Sequence, residues 1–250
     1  MRYIPKLSIL CFLSTIYISN SFGQSVQNDS TYLDNAQKQT IANFNKAIGQ
    51  QSRLYSGREY FLYDPVIKGN AYFPNDAPTW APGEVNYNGI TYTGVPLMYD
   101  IYKDVVVTLL YNGFSRYILV NERVHDFTFS YHHFVRVEVD SLKKDRSGIS
   151  TGFYDQLYIG KIEVLAKRIK TIQNSPSDLG LETFFTEKHE YYLRKGDSYY
   201  SIGGQGSFLN PLKDKKAALK QFIRDNNIQF NKDPEQAMVK IAAYYDHLTN

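Results

Sequence analysis

One cysteine occurs in the 250 residues, at position 11, within an apolar stretch over residues 7–18 that follows Arg2 and Lys6. A positive start, a short apolar run and small residues at Ser21 and Gly23 read as a secretory signal peptide over residues 1–23, cut after Gly23. The run falls short of the roughly 20 apolar residues that span a bilayer, so a retained anchor is the weaker reading. Leu10 rather than a small residue precedes Cys11, which argues against a lipoprotein signal. The mature chain is therefore expected to hold no cysteine. That excludes disulfides, thiol nucleophiles and cysteine zinc sites, and leaves packing to hold the fold.

An excess of charge of one sign is missing too. The formal charge of +3 falls to +1 once Arg2 and Lys6 leave with the signal peptide. The basic balance thus gives no reason to expect nucleic acid as a partner. Residues 213–216 and the group Lys167, Arg168 and Lys170 are small basic clusters that read as solvated faces. After residue 24 no apolar run approaches 18 residues, so no transmembrane segment is expected after signal cleavage. Disorder is excluded as well, because 15% of the residues are aromatic and only 21% are charged.

What the chain does contain is patterned. Residues 31–50 predict a helix, with Leu33, Ala36, Ile41, Phe44, Ala47 and Ile48 on one stripe. Residues 60–84 carry Pro65, Pro74, Pro78 and Pro82, which read as a loop-rich wrap without a central strand. From 87 to 159 short β-type runs alternate with turn signals: Asn88-Gly89, Asn112-Gly113 and a polar turn over 143–148. Val135, Val137 and Val139 share one face, and His125, Phe127, Phe129 and Tyr131 form a second odd-numbered row. Residues 161–173 fit helix or strand, and strand is preferred. A hairpin over 187–202 turns at Lys195-Gly196-Asp197. Beyond it Leu212, Leu219, Phe222 and Ile223 mark one helix. A second starts with Asp233 as N-cap, Pro234 in the first position and Gln236 three residues after the cap. The fold class expected is α+β: a predominantly antiparallel, curved sheet with an N-terminal helix and two C-terminal helices. Residues 24–250 are expected to form one globular domain, with a helical segment at 24–50, a β-rich core at 60–202 and a helical segment at 207–250.

Chemistry-bearing motifs are few. His132 and His133 are adjacent and point to opposite faces of any strand. His125 would lie about 26 Å from His133 along one strand at roughly 3.3 Å per residue. No metal site and no cofactor are expected. Gly203-Gly204-Gln205-Gly206 lacks the lysine and hydroxyl of a phosphate loop and reads as a connection. No G-x-S-x-G elbow is present. Paired carboxylates are the remaining enzymatic option, with Asp100, Asp126 and Asp155 as candidates. The aromatic excess carries the binding option: Trp80, Tyr87, Tyr92, Tyr99 and Tyr102 lie close in sequence and are candidates to line a groove for glycan, peptide or lipid.

Several strings together resemble an uncharacterised family of exported proteins from Bacteroidota: residues 54–60 (LYSGREY), 96–100 (PLMYD), 152–155 (GFYD) with Tyr158 and Gly160-Lys161, Lys167-Arg168, and Tyr244-Tyr245-Asp246. The resemblance implies a periplasmic, outer-membrane-surface or extracellular location in a diderm bacterium and assigns no active-site residue. It also implies two short O-glycosylation sequons, at residues 29–31 and 140–142. The expected function is that of a non-enzymatic binding or scaffolding protein of the envelope, its partner an envelope ligand or protein. The alternative is a carboxylate-dependent hydrolase acting on an envelope or environmental polymer.

Overall fold

A computed structural model describes residues 26–48, 53–75, 80–110, 112–139, 147–177 and 180–249. Residues 1–23, read as a signal peptide, the O-glycosylation sequon expected at 140–142 and most of the polar turn expected at 143–148 lie outside the described residues. The chain divides into two units, Met1–Thr40 and Ile41–Asn250. Helix α1 (Val26–Ile48) crosses that division, and its Leu33 and Phe44 side chains are exposed.

The second unit is built on one open antiparallel sheet of eleven strands, which with the flanking helices makes the fold α+β. In chain order the strands are β1 (Tyr72–Phe73), β2 (Ala81–Tyr87), β3 (Ile90–Asp100), β4 (Val105–Leu109), β5 (Arg116–Ile118) and β6 (Val124–Phe129). They continue as β7 (His132–Val137), β8 (Gly152–Ile159), β9 (Ile162–Ser177), β10 (Gly180–Lys195) and β11 (Ser198–Ile202). Their order across the sheet is β11-β10-β9-β8-β7-β6-β2-β3-β4-β5, and β1 pairs with β3.

Two-residue turns set the register. Asn88 and Gly89 have φ of 53° and 75°, which matches the right-handed twist of the β2–β3 hairpin they close. Ser130 and Tyr131, at 49° and 66°, close β6–β7 in the same way. The row of odd-numbered residues expected from His125 to Tyr131 is therefore broken at both ends. Tyr131 sits in the turn and is exposed, and β6 slips register against β2 so that Val124, not His125, faces Tyr87. One extra residue in a strand switches the face of everything beyond it. Residues 162–177 are strand, paired along their whole length with β10.

The prolines behave differently from expectation at one point. Pro82 lies in β2, a central strand. It faces Pro96 of β3, and β6 pairs with β2 only from Glu84 onward. The missing N–H thus falls where β2 has no second neighbour to receive it.

Beyond β11 come α2 (Gln205–Leu209), α3 (Lys216–Asp225) and α4 (Pro234–Thr249). The helix expected from Leu212 starts at Lys216. Leu212 instead lies in the turn before it, fully buried in the same core. The start of α4 follows the expected chemistry: Asp233 Oδ1 accepts the Gln236 N–H at 3.0 Å. Phe208, Leu219, Ile223, Met238 and Ile241 of the three helices pack with Ile162, Val164 and Leu193 of the β9–β10 ribbon. A second core is aromatic. Phe127 and Phe134 stack with centroids 4.8 Å apart, and Tyr99 and Phe153 meet them edge-on. Such edge-to-face and offset contacts add to the area these rings bury.

Candidate functional site

Strand β9 carries three cations, and all are buried: Lys167, Arg168 and Lys170 are 7%, 4% and 4% exposed. The solvated face expected of this cluster is thus corrected. Neighbouring residues of a strand point to opposite faces, so Lys167 faces away from Arg168 and Lys170, which share the other face. Lys167 Nζ lies 2.6 Å from Asp104 Oδ2 and 3.0 Å from the Phe153 carbonyl oxygen. The Tyr99 hydroxyl donates to the other Asp104 oxygen at 2.6 Å. Burial lowers the Lys167 pKa, and Asp104 opposes that fall. Lys170 Nζ is ringed by the carbonyl oxygens of Asn70 and Tyr72 and by the amide oxygens of Asn70 and Asn75.

Arg168 is the centre of the site. Its Nη2 and Nε reach Asp155 Oδ2 at 2.5 and 3.1 Å. Nη1 and Nη2 reach the two oxygens of Glu235 at 2.5 and 3.0 Å. Burial opposes the guanidinium charge, but the hydrogen bonds it donates to Glu235 and Asp155 outweigh it and raise the pKa. Glu235 shows the mirror effect: burial favours its neutral form, while the bonds from Arg168 hold its pKa below the ordinary value. Tyr191 also donates to Glu235, at 2.9 Å, and burial together with that carboxylate raises the phenol pKa.

Two histidines flank this pair. His132 Nδ1 lies 2.8 Å from Asp155 Oδ2, which can only accept, so the proton is assigned to Nδ1. His189 Nδ1 lies 3.1 Å from Arg168 Nη1, which can only donate. That nitrogen is therefore an acceptor, and Nε2–H donates to Glu187 Oε1 at 2.8 Å. Among the described residues no three His, Cys, Asp or Glu side chains come together as a metal site.

Glu235 and Tyr191 bring this network to the surface. They line a cleft of about 570 Å³ together with Asn226, Asn227, Gln229 and Gln236, among others. The cleft forms because α3 stops at Asp225, and Asn227 takes a left-handed φ of 50° that swings the chain away before α4 begins. Asparagine tolerates that conformation better than most residues. The cleft is of a size that suits a small ligand, and its four amides share the lining with Lys232, Asp233, Glu235 and Lys240.

The candidates read from sequence are distributed otherwise. Asp100 is buried and accepts the hydroxyls of Tyr60 and Tyr63 at 2.8 and 2.6 Å. Its other oxygen takes the N–H groups of Tyr102 and Lys103, so it also closes the β3–β4 turn. Asp126 meets Asn86 and His133. Asp155 meets Arg168 and His132, and the three carboxylates share no partner. Tyr87, Tyr92 and Tyr99 lie in the aromatic core, and Trp80 packs against the separate cluster around Tyr60 and Met98. Tyr102 is partly exposed, edge-on to Tyr63 and Phe185. Sequence reasoning missed Arg168, Tyr191, Glu235 and Asn227. The one signal for them was the cap at Asp233-Pro234, which places Glu235 in the first turn of α4.

Among the described residues, no helix is long and apolar enough to cross a membrane. Comparison with family models, with curated proteins and with solved structures finds no match to the chain.

Proposed function

We propose that this chain is an exported binding protein of the bacterial envelope, and that the cleft between α4 and β10 takes a neutral glycan. The observation that carries this reading is the lining itself. Asn226, Asn227, Gln229 and Gln236 offer paired donors and acceptors suited to vicinal hydroxyls, beside the Tyr191 ring. Asn226 already donates to the Phe222 carbonyl and Gln236 accepts from Lys240, but a lipid would bring no partner to the amides of Asn227 and Gln229, at a cost of about 1–3 kcal/mol each. Hydrolysis is the less supported alternative. A glycosidase acid is a carboxyl kept protonated by a raised pKa, whereas Glu235 is held lower by Arg168. The signal-like residues 1–23 and the resemblance to exported Bacteroidota proteins support the location.

Probing an immobilised panel of neutral envelope and plant oligosaccharides with the labelled mature chain tests this. Retention on at least one neutral glycan is expected, with no retention on phospholipid vesicles. Retention on vesicles alone would contradict the reading.

A further inference from the structure

Unlike Lys167 and Arg168, Lys170 meets amide oxygens instead of a carboxylate. Its Nζ lies 2.8 Å from the backbone oxygens of Asn70 and Tyr72 and also contacts Asn75 Oδ1. The Asn75 amide nitrogen donates in turn to Glu187 Oε2, and the other Glu187 oxygen accepts from His189 at 2.8 Å. An amine, a carboxamide and a carboxylate therefore stand in one chain of contacts. Two elements position them. Lys170 and Glu187 are direct cross-strand partners on the β9–β10 ribbon, and Asn75 follows β1. Burial lowers the lysine pKa, which enlarges the neutral, nucleophilic fraction of the amine. Hydrogen bonds from His189 and Asn75 hold Glu187 below the ordinary carboxylate pKa, so it stands as a carboxylate able to take a proton from the attacking amine.

We propose that Lys170 and Asn75 are joined by an intramolecular isopeptide bond, with Glu187 as the proton carrier. The lone pair of the neutral Nζ attacks Asn75 Cγ, and one Nζ proton passes to the Glu187 carboxylate. The tetrahedral carbon then collapses: the Cγ–Nδ2 bond breaks, its electron pair stays on Nδ2, and that nitrogen takes the proton from Glu187 and leaves as ammonia. Amine plus carboxamide gives secondary amide plus ammonia, with no oxidant or co-reactant. The bond ties together positions 95 residues apart. In a chain without disulfides it supplies the covalent closure of a long loop.

The test is peptide mapping by mass spectrometry of the purified, folded protein. Whole-chain mass is insufficient, because an N-terminal glutamine such as Gln24 also sheds ammonia when it cyclises. The expected product is a branched peptide joining the segment that holds Asn75 to the segment that holds Lys170, lighter by one ammonia than the two together. Trypsin should also fail to cut after Lys170. The Lys170→Arg and Glu187→Gln variants should give two linear peptides. Linear peptides at full recovery from the folded wild-type chain would overturn the bond, whether or not the variants fold. Cross-linking of Glu187→Gln to the wild-type extent would overturn the role of Glu187.

Discussion

Arg168 and Asp155 pair across β8 and β9 with side chains only 3% and 2% exposed, two guanidinium nitrogens converging on one carboxylate oxygen. Removing Asp155 leaves the guanidinium to Glu235 alone, so the loss should fall short of the about 3–5 kcal/mol of a fully broken buried pair. Asp155→Ala is expected to lower the urea midpoint by a stability loss of about 1–3 kcal/mol. Asp155→Leu with Arg168→Met should recover part of it, since both desolvated charges are then gone. A single-variant loss below about 1 kcal/mol, as for a surface pair, would contradict the burial described here.

Gly160 and Asp246 stand in contact that leaves no room for a side chain. A Cβ on Gly160 would lie 1.8 Å from Asp246 Oδ2. That oxygen accepts the Tyr158 hydroxyl and the Lys161 N–H, both at 2.9 Å, and so clamps the β8–β9 turn onto α4. Gly160→Ala is expected to cost about 1–3 kcal/mol through overpacking and the displaced carboxylate. Asp246→Ala removes the same clamp, so the double variant should lose less than the sum of the two single losses in thermal unfolding. Strict additivity would show that the two residues do not act together.

Acid should unfold the protein through a defined set of glutamates. Hydrogen bonds from His189 and Lys188 lower the pKa values of Glu187 and Glu190, and at Glu235 the bonds from Arg168 prevail over burial. A carboxyl with a depressed folded pKa contributes stability that is present above its unfolded value of about 4.3 and is lost as pH falls through the lower folded value. Urea midpoints measured from about pH 6 down to pH 3 should therefore fall most steeply below about pH 4.3. The slope should be shallower in Glu235→Gln. An identical slope in that variant would remove Glu235 from the set.

Local chemistry in the sequence reached the turns and caps. Asn88-Gly89 and Asp233-Pro234 need only their neighbours to act, and both do what their residue types dictate. The alternation of Val135, Val137 and Val139 was legible for the same reason, and all three pack with Tyr154 and Leu165. Pro82 in a central strand was not legible, because the exception depends on where β6 stops pairing. The β9 cations were misread as a solvated face because their partners are distant in the chain, Asp155 by 13 positions and Glu235 by 67. Tyr87 and Tyr99 misled in the opposite sense: tyrosines suited to a wet groove turned out to fill the interior. The cleft itself depends on the chain reversal between α3 and α4, of which only the Asp233-Pro234 cap gave a local sign.

The cleft beside Glu235 and Tyr191 is the proposed glycan site. Titrating the isotopically labelled chain from residue 24 onward with the neutral oligosaccharide retained in the panel, and following backbone amide shifts by NMR, tests it most directly. Shifts should concentrate on residues 226–240 and on Tyr191, and Gln229→Ala with Gln236→Ala should abolish them while leaving the melting temperature within about 2 °C, as for surface changes. Shifts centred elsewhere on the sheet, or saturable binding that survives both substitutions, would contradict the account.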